Sequence, residues 1–245
     1  MKKNIAVWFS CGVASAVAAK RTIEKHGEEF NVMVINNPVD EEHEDNQRFL
    51  KDVEKWIDRP IIKAVNSDIG TTSCVDVWDK RRFMSGPHGA PCTLLLKKAA
   101  RYEFERNHDI YAHVLGFTVE ESDRHDRFTK GERANTLPIL IEANISKGRC
   151  FDITKDAGVK VPYIYKLGFP NANCIGCVKA TSPDYWNLVR KQFPDEFTAR
   201  AEQSRDIGAR LVRVDGKRIF LDELHSRATG GGIRNWDCGI FCDSY

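Results

Sequence analysis

The chain has 245 residues, enough for one large α/β domain or a core with a modest appendage, and its 42% hydrophobic content excludes a disordered or fibrous chain. Thirty-seven Lys and Arg against 35 Asp and Glu leave a net charge of +2, so no global field points to nucleic acid or membrane as a partner. Mean hydropathy is −0.44, the longest apolar runs are strand-length, and Met1-Lys2-Lys3 leads into a strand-like run rather than a signal-peptide core. The expectation is a cytoplasmic protein without a membrane segment.

In chain order, Asn4 to Phe9 reads as a buried strand and Ala14 to His26 as a helix stopped by Gly27. Phe30 to Ile35 is a second strand. Asp45 to Ile57 sets Phe49, Leu50, Val53, Trp56 and Ile57 on one helical face, and Pro60 to Val65 is a third strand. Thr93 to Asn107 reads as a basic amphipathic helix, and Ile110 to Phe117 as a strand. Strands alternating with helices predict an open, mostly parallel sheet with helices on both faces. From Lys166 the texture changes to Gly, Asn and paired cysteines, then helices around Tyr185 to Phe193 and up to Ile207, and a strand pair near Val212 to Phe220. The expected division is a nucleotide-binding α/β core over 1–165 and a cysteine-rich segment over 166–245, folded over the active site.

Ligands of open parallel sheets gather outside the carboxyl ends of the strands. Ser10-Cys11-Gly12-Val13-Ala14-Ser15 occupies that place after the first strand. Backbone N–H groups and the helix dipole there can receive a phosphate, with Gly12 permitting close approach and Ser10 and Ser15 adding hydroxyls; a plain N-cap turn is the alternative. After the second strand, Asn36 to His43 is an acidic loop that suits either a metal or ribose hydroxyls, or a solvated helix N-terminus. Arg124 and Arg127 are surface arginines or, in a sheet-end loop, partners for a phosphate or sulfate.

Together these segments resemble the adenine nucleotide α-hydrolase superfamily, and in particular the phosphoadenosine phosphosulfate (PAPS) reductases. The loop is similar to that family's phosphate loop, with Cys11 and Ala14 where the ATP-cleaving members carry Gly and Asp. Gly116-Phe117 followed by Asp123-Arg124 and Arg127, Pro138 to Glu142, and Val161 to Phe169 resemble family segments in the same order. The resemblance implies adenine nucleotide binding, of PAPS or ATP, at Ser10, Cys11, Gly12 and Ser15, with Arg124 and Arg127 on the anion.

Cysteines at 11, 74, 92, 150, 174, 177, 238 and 242 in a reducing compartment suggest metal, cluster or thiol chemistry rather than disulfides. Cys174-Ile-Gly-Cys177 is a tight knuckle, and Cys238 and Cys242 form a second close pair. Cluster-bearing reductases of this family place two adjacent cysteines in a segment like Pro91 to Lys97 and a later Cys-x-x-Cys. The resemblance therefore implies an iron–sulfur cluster, [4Fe–4S], or alternatively zinc, on Cys92, Cys174, Cys177 and Cys242. Asp237 to Phe241 resembles the family's catalytic segment, which implies Cys238 as nucleophile. Three or four ligands remain open. Cys11 is expected to pack beside the phosphate loop, and Cys74 and Cys150, lacking partners at useful spacing, read as structural.

The leading expectation is sulfonucleotide reduction, with a thiol donor such as thioredoxin. The alternatives are an ATP-dependent sulfurtransferase with nucleic acid as acceptor, and a non-catalytic nucleotide- and metal-binding module.

Overall fold

The computed structural model describes residues 2–87 and 89–233, so Cys238 and Cys242 lie outside the described residues. In chain order the elements are β1 (Asn4–Trp8), α1 (Val13–His26), β2 (Asn31–Asn36), α2 (Asp45–Ile57), β3 (Ile61–Lys63) and α3 (Cys74–Arg81). A π-helical turn, Thr93–Lys98, precedes α4 (Ala99–Asn107) and β4 (Ile110–Val114). Then come α5 (Ser122–Gly131), α6 (Ile139–Glu142), α7 (Lys147–Asp156), α8 (Pro183–Gln192), α9 (Pro194–Ile207), β5 (Val212–Val214) and β6 (Lys217–Ile219). Among the described residues no helix is long and apolar enough to cross a membrane.

The chain forms two compact units interleaved in sequence. The first comprises the chain up to Pro38, Glu44–Ser67 and Ala99–Tyr163; the second comprises Val39–His43, Asp68–Lys98 and the chain from Ile164 onward.

The first unit carries an all-parallel four-stranded sheet of order β3-β2-β1-β4, flanked by helices. β1 pairs on both sides, which is why Ile5, Ala6 and Val7 form an uninterrupted apolar run with no exposure. The small residues Ala16, Ala18 and Ala19 are fully buried on α1, so that helix sits close to its neighbours. On α2, Phe49, Leu50, Val53 and Ile57 are buried along one face, as their spacing predicts. From β1 the chain steps outward to β2 and β3, then returns to place β4 on the other side. β1 is therefore the strand at which the order reverses, and the loop after it is where ligands of such sheets bind.

The second unit packs around Trp78, Met84, Ile164 and Trp186, with Cys74, Cys92, Cys174 and Cys177 in the same buried cluster. Ser182 caps α8 by accepting from the Tyr185 amide, and Pro183 and Pro194 open α8 and α9 where no N–H is needed. β5 and β6 form a hairpin whose turn residues Asp215 and Gly216 both have positive φ, at 47° and 78°.

Two local features escape periodicity. The expected single helix over 93–107 divides into a π-helical turn and α4: the wider turn rotates the face, burying Lys97 while Leu94 stays 57% exposed. α3 also forms, over Cys74–Arg81; Ser73 caps it, and Arg82 ends it in the left-handed region.

Candidate functional site

The loop between β1 and α1 is built by its own side chains. Ser15 Oγ accepts from the Ser10 amide at 3.1 Å and donates to the Gly12 carbonyl at 2.9 Å. Ser15 is thus buried and spent on the loop, leaving Ser10 as the exposed hydroxyl. Cys11, at φ 56°, takes the left-handed turn, and its buried side chain lies beside Asn36, whose Nδ2 is 3.7 Å from Sγ. Asn36 also donates to the Phe9 carbonyl at 2.9 Å, so the end of β2 holds the loop from the side. Gly12 is the N-cap in extended conformation; α1 has no side-chain cap and no acid in its first turn. The positive end of a 14-residue helix therefore points toward the carboxyl edge of the sheet.

Two further residues follow the carboxyl ends of β4 and β2. At Gly116, just after β4, an added Cβ would fall 2.7 Å from the Ser15 amide nitrogen. Asn37 donates to the Ala64 carbonyl at 2.8 Å, while its buried Oδ1 has no hydrogen-bond partner among the described residues. Arg124 and Arg127 both lie on α5. Arg124 is half-buried, paired with Glu121 at 2.9 Å and 5.2 Å from the Phe117 ring; Arg127 is exposed.

Deeper in the same unit, the Trp8 indole donates to His113 Nδ1 at 3.2 Å. The neutral ring then carries its proton on Nε2, 3.6 Å from a Glu105 carboxylate oxygen. Burial outweighs Glu105 and lowers the His113 pKa to about 4.

In the second unit Glu41 stitches the cysteine-bearing segments together. Its carboxylate accepts from the amides of Cys74 at 2.7 Å and Val75 at 3.2 Å and from the Ser73 hydroxyl at 2.6 Å, capping α3. Its carbonyl accepts from Ile175 inside the knuckle at 2.8 Å. The acidic loop after β2 therefore does serve a helix N-terminus, and the helix is α3.

Cys74 hydrogen-bonds through sulfur to Cys174 and Cys92, and those thiols, followed by burial, push its pKa well above the ordinary value. Cys174 and Cys177 line a small cavity with Asn171, Asn173 and Tyr185. Gly176, at φ 68°, makes the knuckle's tight turn, and the Tyr185 hydroxyl accepts from the Cys177 amide at 2.8 Å. Arg200 is buried against this turn: its Nε would be 3.8 Å from a Cβ at 176, and its guanidinium lies 4.2 Å from the Trp78 ring. Arg200 Nε and Trp78 Nε1 are buried donors with no acceptor among the described residues.

Of the expected metal ligands, Cys92, Cys174 and Cys177 therefore share one buried cluster, and Cys74, read as structural, joins them. Sequence spacing could not find Cys74, since it stands 18 residues before Cys92. Cys150 sits elsewhere, fully buried on α7, its pKa raised to about 12 by burial. Among the described residues no three or more His, Cys, Asp or Glu side chains stand in a ready-made metal polyhedron. What these residues share with an iron–sulfur or zinc centre is donor chemistry alone, soft thiols within one buried cluster. No protein-family model matches the chain, and no curated protein does.

Proposed function

We propose that this chain is a PAPS-reductase-like enzyme that binds an adenine nucleotide at the Ser10–Ser15 loop and carries out thiol and iron–sulfur chemistry, with sulfonucleotide reduction as the reaction. The observation that carries the reading is the loop's position: a helix N-terminus without a side-chain cap, after the strand at which the sheet order reverses. Backbone amides and the exposed Ser10 hydroxyl would hold phosphate oxygens. The unpartnered Oδ1 of Asn37 offers an acceptor for a ribose hydroxyl or the adenine amino group.

In the reaction the Cys238 thiolate attacks the sulfuryl sulfur. The S–O bond to the nucleotide breaks, adenosine 3′,5′-bisphosphate leaves, and a cysteine thiosulfonate forms. A dithiol donor such as thioredoxin then attacks the Cys238 sulfur and releases sulfite. Its second thiol resolves the mixed disulfide, so the dithiol supplies both electrons. Arg124 and Arg127 are the cations offered to the sulfate. Cysteines of the second unit would hold an iron–sulfur cluster, a group able to store an electron, while the two electrons of the reduction come from the dithiol.

Anaerobic incubation with PAPS and reduced thioredoxin tests this directly. Sulfite and adenosine bisphosphate in equal amounts, lost in Cys238→Ser, are expected. Pyrophosphate release from ATP with PAPS left intact would replace the reading with an ATP-dependent sulfurtransferase acting on nucleic acid; turnover of neither would leave a binding module.

A further inference from the structure

We propose that the β5–β6 hairpin is a docking surface for the phosphodiester backbone of a nucleic acid. The proposal does not rest on the sulfonucleotide reading and concerns the second unit alone.

Between residues 210 and 220 the sequence holds four cations, Arg210, Arg213, Lys217 and Arg218, against one acid, Asp215, so this short stretch carries +3 in a chain whose total is +2. Antiparallel pairing sets Arg213 directly opposite Arg218, and Val212 opposite Ile219. Val212 is fully buried, and both apolar residues belong to the core of the unit. Side chains alternate along a strand, so the same register that turns Val212 and Ile219 inward turns Arg213 and Arg218 outward, where both are exposed. Like charges placed directly across a hairpin destabilise it. Partial burial and then the Arg213 charge lower the Arg218 pKa, so the repulsion acts within the hairpin.

The neighbouring acids are engaged elsewhere. Asp222 and Glu223 take Arg205, at 2.6 and 3.2 Å. Among the described residues none of Arg210, Arg213, Lys217 and Arg218 forms an ion pair. Arg218 donates instead to the Leu211 carbonyl at 2.9 Å, and the Arg210 guanidinium lies 5.2 Å from the Phe220 ring. These contacts hold the guanidiniums in place without cancelling their charge, which leaves an anion to be supplied from outside the fold. Three of the four cations are arginines, whose planar forks take phosphate oxygens in pairs. Several such groups along one ribbon match a repeating phosphate chain better than a single ion. A membrane surface fits less well, because among the described residues no exposed large apolar side chain lies on the hairpin, and its turn is Asp215-Gly216.

The test is fluorescence anisotropy of the full chain with a labelled single-stranded RNA and a labelled DNA duplex, each of mixed sequence and about 20 nucleotides or base pairs, between about 50 and 200 mM salt. Wild type is expected to bind, and four phosphate contacts on a single strand imply a slope of log affinity against log salt of about −3. Arg213→Gln with Lys217→Gln should weaken binding at least tenfold and reduce that slope by about 1.4. Lys155→Gln with Lys160→Gln removes the same charge from exposed positions of the first unit and should stay within about twofold. Urea unfolding guards against a trivial loss: the hairpin variant should be at least as stable as wild type, since it relieves the repulsion between Arg213 and Arg218. Equal weakening by the two pairs would reduce the effect to net charge and overturn the proposal, as would wild type that binds neither probe. Adsorption to phosphatidylserine vesicles with no binding of either oligonucleotide would overturn it in favour of a membrane surface. None of these failures touches the sulfonucleotide reading, which the release of sulfite decides separately.

Discussion

Gly116 and Ser15 approach so closely that a Cβ on the first would stand 2.7 Å from the amide nitrogen of the second. The next nearest atoms, at 3.0 Å, are also backbone, so no flexible side chain can yield. Gly116→Ala must therefore push the segment after β4 and the β1–α1 loop apart. It should destabilise the protein by about 1–3 kcal/mol and weaken adenine nucleotide binding at least tenfold, read by urea unfolding and by calorimetric titration. Unchanged affinity would show that the loop's position does not set binding.

Cys11 holds the left-handed conformation at φ 56°, where the resembling loops have Gly. Cys11→Gly removes that strain and should keep nucleotide affinity within about threefold, since the cost is confined to one small buried side chain. Cys11→Val places a β-branched residue at positive φ and should cost about 1–3 kcal/mol. Urea midpoints of the two variants, expected to fall on opposite sides of a 1 kcal/mol loss, check this.

His113 makes part of the stability pH-dependent. Its ring stays neutral in the native state down to about pH 4, whereas in the unfolded chain it protonates near 6.5. As the pH drops through that window the unfolded state binds the extra proton, so stability is present above pH 6.5 and is lost toward 4. The loss attributable to this group is roughly 2–3 kcal/mol. In His113→Gln, which keeps an acceptor for the Trp8 indole, the fall in unfolding free energy between pH 7 and 4.5 should be about 2 kcal/mol smaller than in wild type; equal falls would exclude the group.

Glu41→Ala leaves the first amides of α3 without their carboxylate and loosens Cys74 from the knuckle. A destabilisation of about 1–2 kcal/mol is expected, together with lower iron per chain after anaerobic purification. Glu41→Gln, which keeps an acceptor, should recover part of both.

The parallel sheet was legible in the sequence because its signals are local: the apolar run of β1, the one-faced pattern of α2, the Gly-stopped helix that follows β1. The loop's internal economy was not. From sequence Ser15 reads as a phosphate donor, but its hydroxyl is bonded to Ser10 and Gly12, and the left-handed residue is Cys11 rather than the neighbouring glycine. Cys74 escaped for a different reason. Its neighbours Cys92 and Cys174 stand 18 and 100 positions away, and no periodicity encodes the work of one residue, Glu41, whose carboxylate takes the Cys74 amide while its carbonyl takes that of Ile175. The unpartnered N–H groups of Trp78 and Arg200 are likewise tertiary facts, since composition counts donors without showing where acceptors fail to meet them.

Calorimetric titration of the anaerobically prepared protein with PAPS, with Gly12→Val beside it, tests the central claim most directly. The account predicts saturable binding of one nucleotide per chain, weakened at least tenfold, about 1.4 kcal/mol, by a side chain at the N-cap of α1. Equal affinity in the two proteins, or no binding of PAPS or ATP to either, would contradict it.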